Sequence, residues 1–204
     1  MASIRVLGVC GSPRQGSTEY ALKKALEFAR SEGGVEVQFF SVRAKRINFC
    51  LHCDYCVRTK KGCVQKDDMV ELYPMMEAAD AWILATPVYQ GSVSAQLKAV
   101  MDRCRAIVAR DPDVLKNKVG AAIAVGGDRA GGQEPSIICI HSFFLANKMI
   151  PVGGGAFGSN LGACVWSRDE GAEGAARDRT GMRSVERTVG RLVEVAKILK
   201  GEAA

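Results

Sequence analysis

Several features are missing from this chain of 204 residues. No run approaches the roughly 18 apolar residues that a membrane span requires, which excludes a helical membrane protein. The first residues, MASIRVLGVCGSPR, put no basic region ahead of a long apolar one. They do not read as a secretory signal, and the expected compartment is the cytoplasm. Internal repeats and low-complexity tracts are absent, so a solenoid is not expected. With 48% hydrophobic and 25% charged residues of both signs, general disorder is excluded as well. Histidine occurs twice, as His52 and His141. A lone histidine is more often structural than catalytic, and no conventional general acid or base is expected.

Cysteine, by contrast, is abundant. A cytoplasmic chain of this size buries a full core without disulfides, so eight cysteines call for another explanation. Cys10, Cys104, Cys139 and Cys164 are scattered among apolar neighbours and read as small buried hydrophobes. Cys50, Cys53, Cys56 and Cys63 are clustered and read as metal ligands or redox groups. The net charge is +6, and residues 43–66 carry all of that excess, with seven basic residues against Asp54 alone. No aromatic residues interleave with these bases on a recognisable nucleic-acid module, so nucleic acid is not the expected partner.

Apolar runs and helical periods alternate along the chain. Strands are expected over residues 4–10, 35–42, 81–86, 119–125 and 149–153. Helices are expected from a Ser17 or Thr18 cap to Gly33, from an Asp68/Glu71 capping box to residue 79, and over 93–108, 133–148 and 185–199. Residues 153–181, rich in glycine and alanine, read as loop. Strands apolar on both faces and alternating with helices imply a parallel sheet covered on both sides. The expected fold is α/β: a single flavodoxin-like domain with a doubly wound five-stranded parallel sheet and a cysteine loop inserted at about 44–66. Ligands of such sheets bind beyond the carboxyl ends of the strands.

Gly11 to Thr18 (GSPRQGST) joins the first strand to the first helix. Backbone N–H groups and the helix dipole bind anions at such a place, and Ser12, Ser17, Thr18 and Arg14 add donors. Gly11 and Gly16 have nearly P-loop spacing, but Ser17 stands where that motif needs lysine, which disfavours a triphosphate. A monophosphate at this edge points to FMN. Taken alone, the loop is equally a capped helix after a proline turn. The loops TPVYQGS (86–92) and GGDRAGGQE (126–134) follow later strands at the same edge and tilt the balance toward a flat ligand, with Tyr89 available to pack on it.

Cys50-x2-Cys53-x2-Cys56-x6-Cys63 is the sharpest motif. Structural zinc usually takes two separated C-x2-C pairs, whereas three cysteines at a spacing of three resemble the ferredoxin run. Spacing therefore favours [4Fe–4S] over zinc, and both over a metal-free redox loop. An all-thiolate cubane is anionic, and nearby Arg and Lys would raise its potential and steer acidic carriers.

GSPRQGST, CLHCDYC with its following GC, DDM, PVYQGSVSAQLKAVMDR and GGDRAGGQE together resemble the NAD(P)H-dependent FMN reductase superfamily. The compact four-cysteine loop is similar to that of its iron–sulfur flavoprotein family. The resemblance implies a flavodoxin-like fold, FMN and a [4Fe–4S] cluster, and assembly as a homodimer or homotetramer. By position, it implies that Ser12, Arg14, Gly16, Ser17 and Thr18 hold the FMN phosphate. Pro87, Val88, Tyr89, Gln90 and Gly91 would lie along the flavin, and Gly127, Arg129, Gly131 and Gly132 near its polar edge. Cys50, Cys53, Cys56 and Cys63 would bind iron. The expected function is an electron-transfer oxidoreductase, taking electrons from ferredoxin or a similar acidic carrier and passing them to oxygen species, quinones or similar acceptors. Two alternatives remain at this point: an NAD(P)H-dependent FMN or quinone reductase without a cluster, and a redox- or metal-sensing binding module.

Overall fold

The computed structural model describes residues 3–201. In chain order its elements are β1 (Ile4–Cys10), α1 (Ser17–Ser31), β2 (Val35–Ser41), α2 (Tyr55–Thr59), α3 (Met69–Ala78), β3 (Ala81–Tyr89), β4 (Ser92–Val93) and α4 (Ala95–Arg103). There follow α5 (Arg105–Arg110), β5 (Val119–Gly126), α6 (Gln133–Ala146), β6 (Ile150–Val152), β7 (Ala163–Trp166), α7 (Gly171–Arg177) and α8 (Arg179–Leu199).

The main strands are parallel in the order β2-β1-β3-β5-β6, the flavodoxin-like order expected from the sequence. Alternate residues of each strand feed opposite cores. Ile4, Val6, Ile83, Ala85, Ile123 and Val125 face α1 and α8, packing on Leu22, Leu26, Val189 and Leu192. Leu7, Val9, Trp82, Leu84, Ala122 and Ala124 face α3, α4 and α6, packing on Leu72, Leu97, Ile140 and Phe144. Residues apolar on both sides of a strand leave no arrangement but a covered parallel sheet. Among the described residues, no helix is long and apolar enough to cross a membrane.

Four details differ from the sequence reading. The fifth sheet position is shared: β6 pairs with Val119–Ala121 and β7 with Ile123–Gly126, and the glycine-rich residues between them loop out. The stretch expected to be loop therefore holds β7, α7 and the first three residues of α8. β3 continues through Pro87 to Tyr89, because its partner β1 ends opposite Ala85 and a missing donor there breaks no ladder bond on that side. The expected helix at 93–108 breaks at Cys104 into α4 and α5. Asp68 does not cap α3 with its side chain; its carboxylate instead accepts the Arg46 N–H at 2.6 Å.

Candidate functional site

The phosphate loop is held by the sheet itself. The Gly11 N–H donates to the Ala85 carbonyl at 2.7 Å, and the Ser94 hydroxyl donates to the Gly11 carbonyl at 2.6 Å. Ser94 also caps α4 by accepting the Leu97 N–H, so one side chain fixes a loop and a helix together. A Cβ on Gly11 would stand 2.6 Å from Leu97 Cβ, which reserves the position for glycine. The Ser12 hydroxyl closes the turn by donating to the Arg14 carbonyl at 2.9 Å and accepting the Arg14 N–H. The N-cap of α1 is Gly16, not Ser17 or Thr18, and it gives the helix no side-chain bond. The first-turn N–H groups of α1 are thus left for a ligand, as anion binding requires. Glu19 in that turn is buried between Lys23 and Arg43, 2.6 and 3.7 Å away.

These residues wall a cavity of about 500 Å³ at the carboxyl edge of the sheet, within the usual range for small-molecule and cofactor sites. Ser12, Arg14, Gly16, Ser17 and Thr18 line one side of it, Pro87, Val88 and Tyr89 a second, and Gly127 with Val125 a third. The fourth side was not anticipated. Ser167, Asp169 and Gly171 come from the connection between β7 and α7. Ser167 pins that connection by donating from both its N–H and its hydroxyl to the Gly126 carbonyl. The sequence signal was present: Ala163–Trp166 is a short apolar run ahead of a Ser-Arg-Asp-Glu-Gly turn.

The other cofactor candidates lie beside this cavity rather than in its wall. Gln90 and Gly91, at φ 49° and 76°, make the two-residue turn between β3 and β4. Gly132 packs so closely on Gly91 that a Cβ would meet its backbone at 2.8 Å. Gly131 donates its N–H to Gln133 Oε1 at 2.9 Å. Arg129 and Gly132 line a neighbouring cavity with Cys164, whose thiol is pushed up to about 11 by burial and then by Glu134. Arg129 and Arg168 stack on the Trp166 ring at 4.5 and 4.1 Å, and Arg129 pairs with Asp178 at 3.3 Å.

The clustered cysteines lie in the connection between β2 and α3. Its two ends run side by side: Arg46 donates to the Lys66 carbonyl, the Asn48 N–H to Asp67, and Gln65 to the Phe49 carbonyl, at 2.9 to 3.2 Å. At its crown sits α2, with Asp54 and Lys60 left-handed at its two ends. Arg58 donates to the Cys53 carbonyl, and Lys60 to the Ala109 carbonyl at the end of α5. Cys50, Cys56 and Cys63 are half-buried and Cys53 is exposed; the His52 N–H points to Cys50 Sγ at 3.5 Å. Among the described residues, no three His, Cys, Asp or Glu side chains converge closely enough to hold a single metal ion. In a tetrahedral zinc site, Zn–S bonds of 2.3 Å put the sulfurs about 3.8 Å apart, whereas the bulk of an iron–sulfur cluster keeps its thiolates farther apart. An all-thiolate donor set on a short loop suits the cluster. So do the buried guanidinium Nε atoms of Arg103 and Arg105, which bond this loop through their other nitrogens and lack a partner of their own.

Comparison with known proteins agrees with this geometry. Residues 4–163 match the family described as NADPH-dependent FMN reductase. The chain is 54% identical to an iron–sulfur flavoprotein of Methanocaldococcus jannaschii, over 97% of this chain and all of that one. It is 53% identical to an iron–sulfur flavoprotein of Archaeoglobus fulgidus, over 96% and 99% of the two chains. Among solved structures, it resembles a flavodoxin, WrbA-like protein from Agrobacterium tumefaciens with a TM-score of 0.66 at 15% identity, over 97% and 99% of the two chains; this likeness concerns the fold alone.

Proposed function

Since the chain belongs to the iron–sulfur flavoproteins of the NADPH-dependent FMN reductase family, we propose that it is a flavin-dependent oxidoreductase holding FMN and a [4Fe–4S] cluster. We further propose that it takes electrons from ferredoxin or a similar acidic carrier and passes them to a small acceptor such as a quinone or an oxygen species. The observation that carries this reading is the shared edge. The cavity opens where β1, β3 and β5 end, and the cysteine connection leaves the end of β2, the neighbour of β1.

When bound, FMN supplies reversible one- and two-electron chemistry and the cluster supplies single-electron transfer. The chain's part is to bind and orient. Ser17, Thr18 and the free N–H groups of α1 would hold the phosphate, with Arg14 adding charge at the mouth. Pro87, Val88 and Tyr89 offer a face for the ring, and Gly127 lets the backbone approach it. Cys50, Cys53, Cys56 and Cys63 would ligate iron. Exposed bases such as Arg58, Lys61 and Lys66 around them favour an acidic donor. Exposed apolar side chains on the cysteine loop (Phe49, Leu51) and on the opposite edge (Phe157, Leu161) support a homodimer or homotetramer.

The test is an anaerobic absorption spectrum with flavin, iron and acid-labile sulfide counted on one sample, followed by turnover with reduced ferredoxin and with NADPH. About four irons and four sulfides per chain beside one FMN are expected, with faster turnover from ferredoxin. Flavin without iron or sulfide, together with turnover from NADPH, would instead make the protein a cluster-free reductase.

A further inference from the structure

The cysteine loop is closed at its base by a residue far from it in sequence. Arg103, the last residue of α4, is 1% exposed, and its fork grips both Asp67 oxygens at 2.7 and 2.9 Å. The same guanidinium donates to the Asn48 carbonyl at 2.9 Å, and the Asn48 N–H returns to Asp67 Oδ2. One side chain thereby holds both ends of the segment that carries the thiols. Cys50 leaves just after Asn48, and Cys63 arrives just before Asp67. Arg105, the first residue of α5, reaches the crown of the loop, where it pairs with Asp54 and lies 3.2 Å from His52 Nε2.

A simple clasp leaves two features unexplained. Removing two ions from water is costly, and apolar side chains of the same volume commonly serve stability as well as a buried ion pair does. Each arginine also carries a buried donor that meets nothing. Arg103 Nε and Arg105 Nε are buried without a partner, and they are two of only five such side-chain atoms among the described residues. Both belong to side chains that grip the one segment where four thiols gather. Burial works against the Arg103 charge, and the two bonds to Asp67 are the main local compensation.

We propose that Arg103 and Arg105 are the positioning and charge-setting residues of the iron–sulfur site. Arg103 closes the loop so that Cys50 and Cys63 rise from one base, and the buried Arg103 guanidinium with the half-buried one of Arg105 supplies fixed positive charge and N–H donors to the anionic thiolate-bound group. This inference rests on the two-cofactor reading. It differs from the general effect of the surface bases because these two arginines come from α4 and α5 and are held in place by hydrogen bonds.

The test uses the full chain purified anaerobically. Flavin, iron and sulfide are counted, and the cluster midpoint is followed by an EPR-monitored redox titration. Arg103→Met is expected to lose more than half of its iron and sulfide and to shift the remaining cluster to a more negative midpoint. Losing a positive charge disfavours the reduced, more anionic form. Arg103→Lys keeps the charge without the fork and is expected to restore the midpoint toward that of the parent while binding less iron. Arg105→Met leaves the clasp intact and is expected to shift the midpoint with iron retained. Asp67→Leu/Arg103→Met removes both buried ions together, so it stays folded even where Arg103→Met does not; a smaller negative shift is expected there. Parental iron content and midpoint in Arg103→Met, or in the double variant where the single one fails to fold, would overturn the proposal. A parent lacking iron and sulfide would overturn the two-cofactor reading and the charge-setting role with it. In that protein, faster amide exchange over residues 49–66 in Arg103→Met would preserve the clasp, and unchanged exchange would dismiss it.

Discussion

The phosphate loop and the cysteine loop leave adjacent strands at the same edge of the sheet, yet they are held in different ways. The first is tied by backbone bonds that extend the β1–β3 pairing and by Ser94, a buried hydroxyl serving two elements. The second is tied mainly through side chains: Arg103 and Asp67 at the base, Arg105, Asp54 and Lys60 at the crown. Backbone ties inside a parallel sheet open only with the sheet, and the Asp67–Arg103 base is buried as well, whereas the half-exposed Arg105–Asp54 pair at the crown opens locally at low cost. The proposed flavin cradle is therefore preorganised by folding, as is the base of the cysteine loop, and only the crown of that loop is left to be finished by what it binds.

The most drastic way to test this contrast is to remove one thiol. Cys56→Ser is expected to reduce iron and sulfide from about four per chain to almost none while flavin content stays at the parental level. A parallel loss of flavin would show that the two regions are not independent. The reverse substitution is Gly11→Ala. Its new methyl would meet Leu97 Cβ at 2.6 Å and the Ala85 carbonyl at 3.2 Å. Overpacking of this kind costs about 1–3 kcal/mol. FMN titrated calorimetrically into flavin-free protein is expected to bind about tenfold more weakly, the equivalent of about 1.4 kcal/mol, with iron content unchanged.

The smallest effect concerns the thiols that are not clustered. Burial raises Cys10 to about 11 and Cys104 to about 12. In the unfolded chain these thiols ionise near their ordinary value of 9.0. The unfolded state therefore loses its protons first, and stability falls as pH rises from about 9 toward 11 or 12. Urea midpoints at pH 8 and pH 10 should differ accordingly, and Cys10→Ala/Cys104→Ala should flatten the difference. In folded protein stripped of iron at pH 8, iodoacetamide is expected to label exposed Cys53 of the loop and to spare Cys10 and Cys104 until denaturant is added.

The sheet was legible because Val, Ile, Leu and Ala recur on both faces of β1, β3 and β5, a pattern with one structural solution. The phosphate loop was legible because its glycines, hydroxyls and arginine are contiguous. The fourth wall of the cavity was not, since β7 is only four residues long and follows a glycine-rich stretch with no period of its own. The Asp67–Arg103 clasp joins residues 36 positions apart through a single contact, and such a pair leaves no periodic trace. Asp67 stood in the motif DDM and Arg103 at the end of PVYQGSVSAQLKAVMDR, but only the fold shows that those motifs meet.

The division of the outer sheet row between β6 and β7 has a consequence for engineering. The first segment pairs with the start of β5 and the second with its end, so each is registered independently of the length between them. The intervening turn carries Phe157, which is 96% exposed. A change of length confined to that turn is expected to leave undisturbed the register that places Ser167 and Asp169 in the cavity wall, while interrupting any contact between copies made through Phe157.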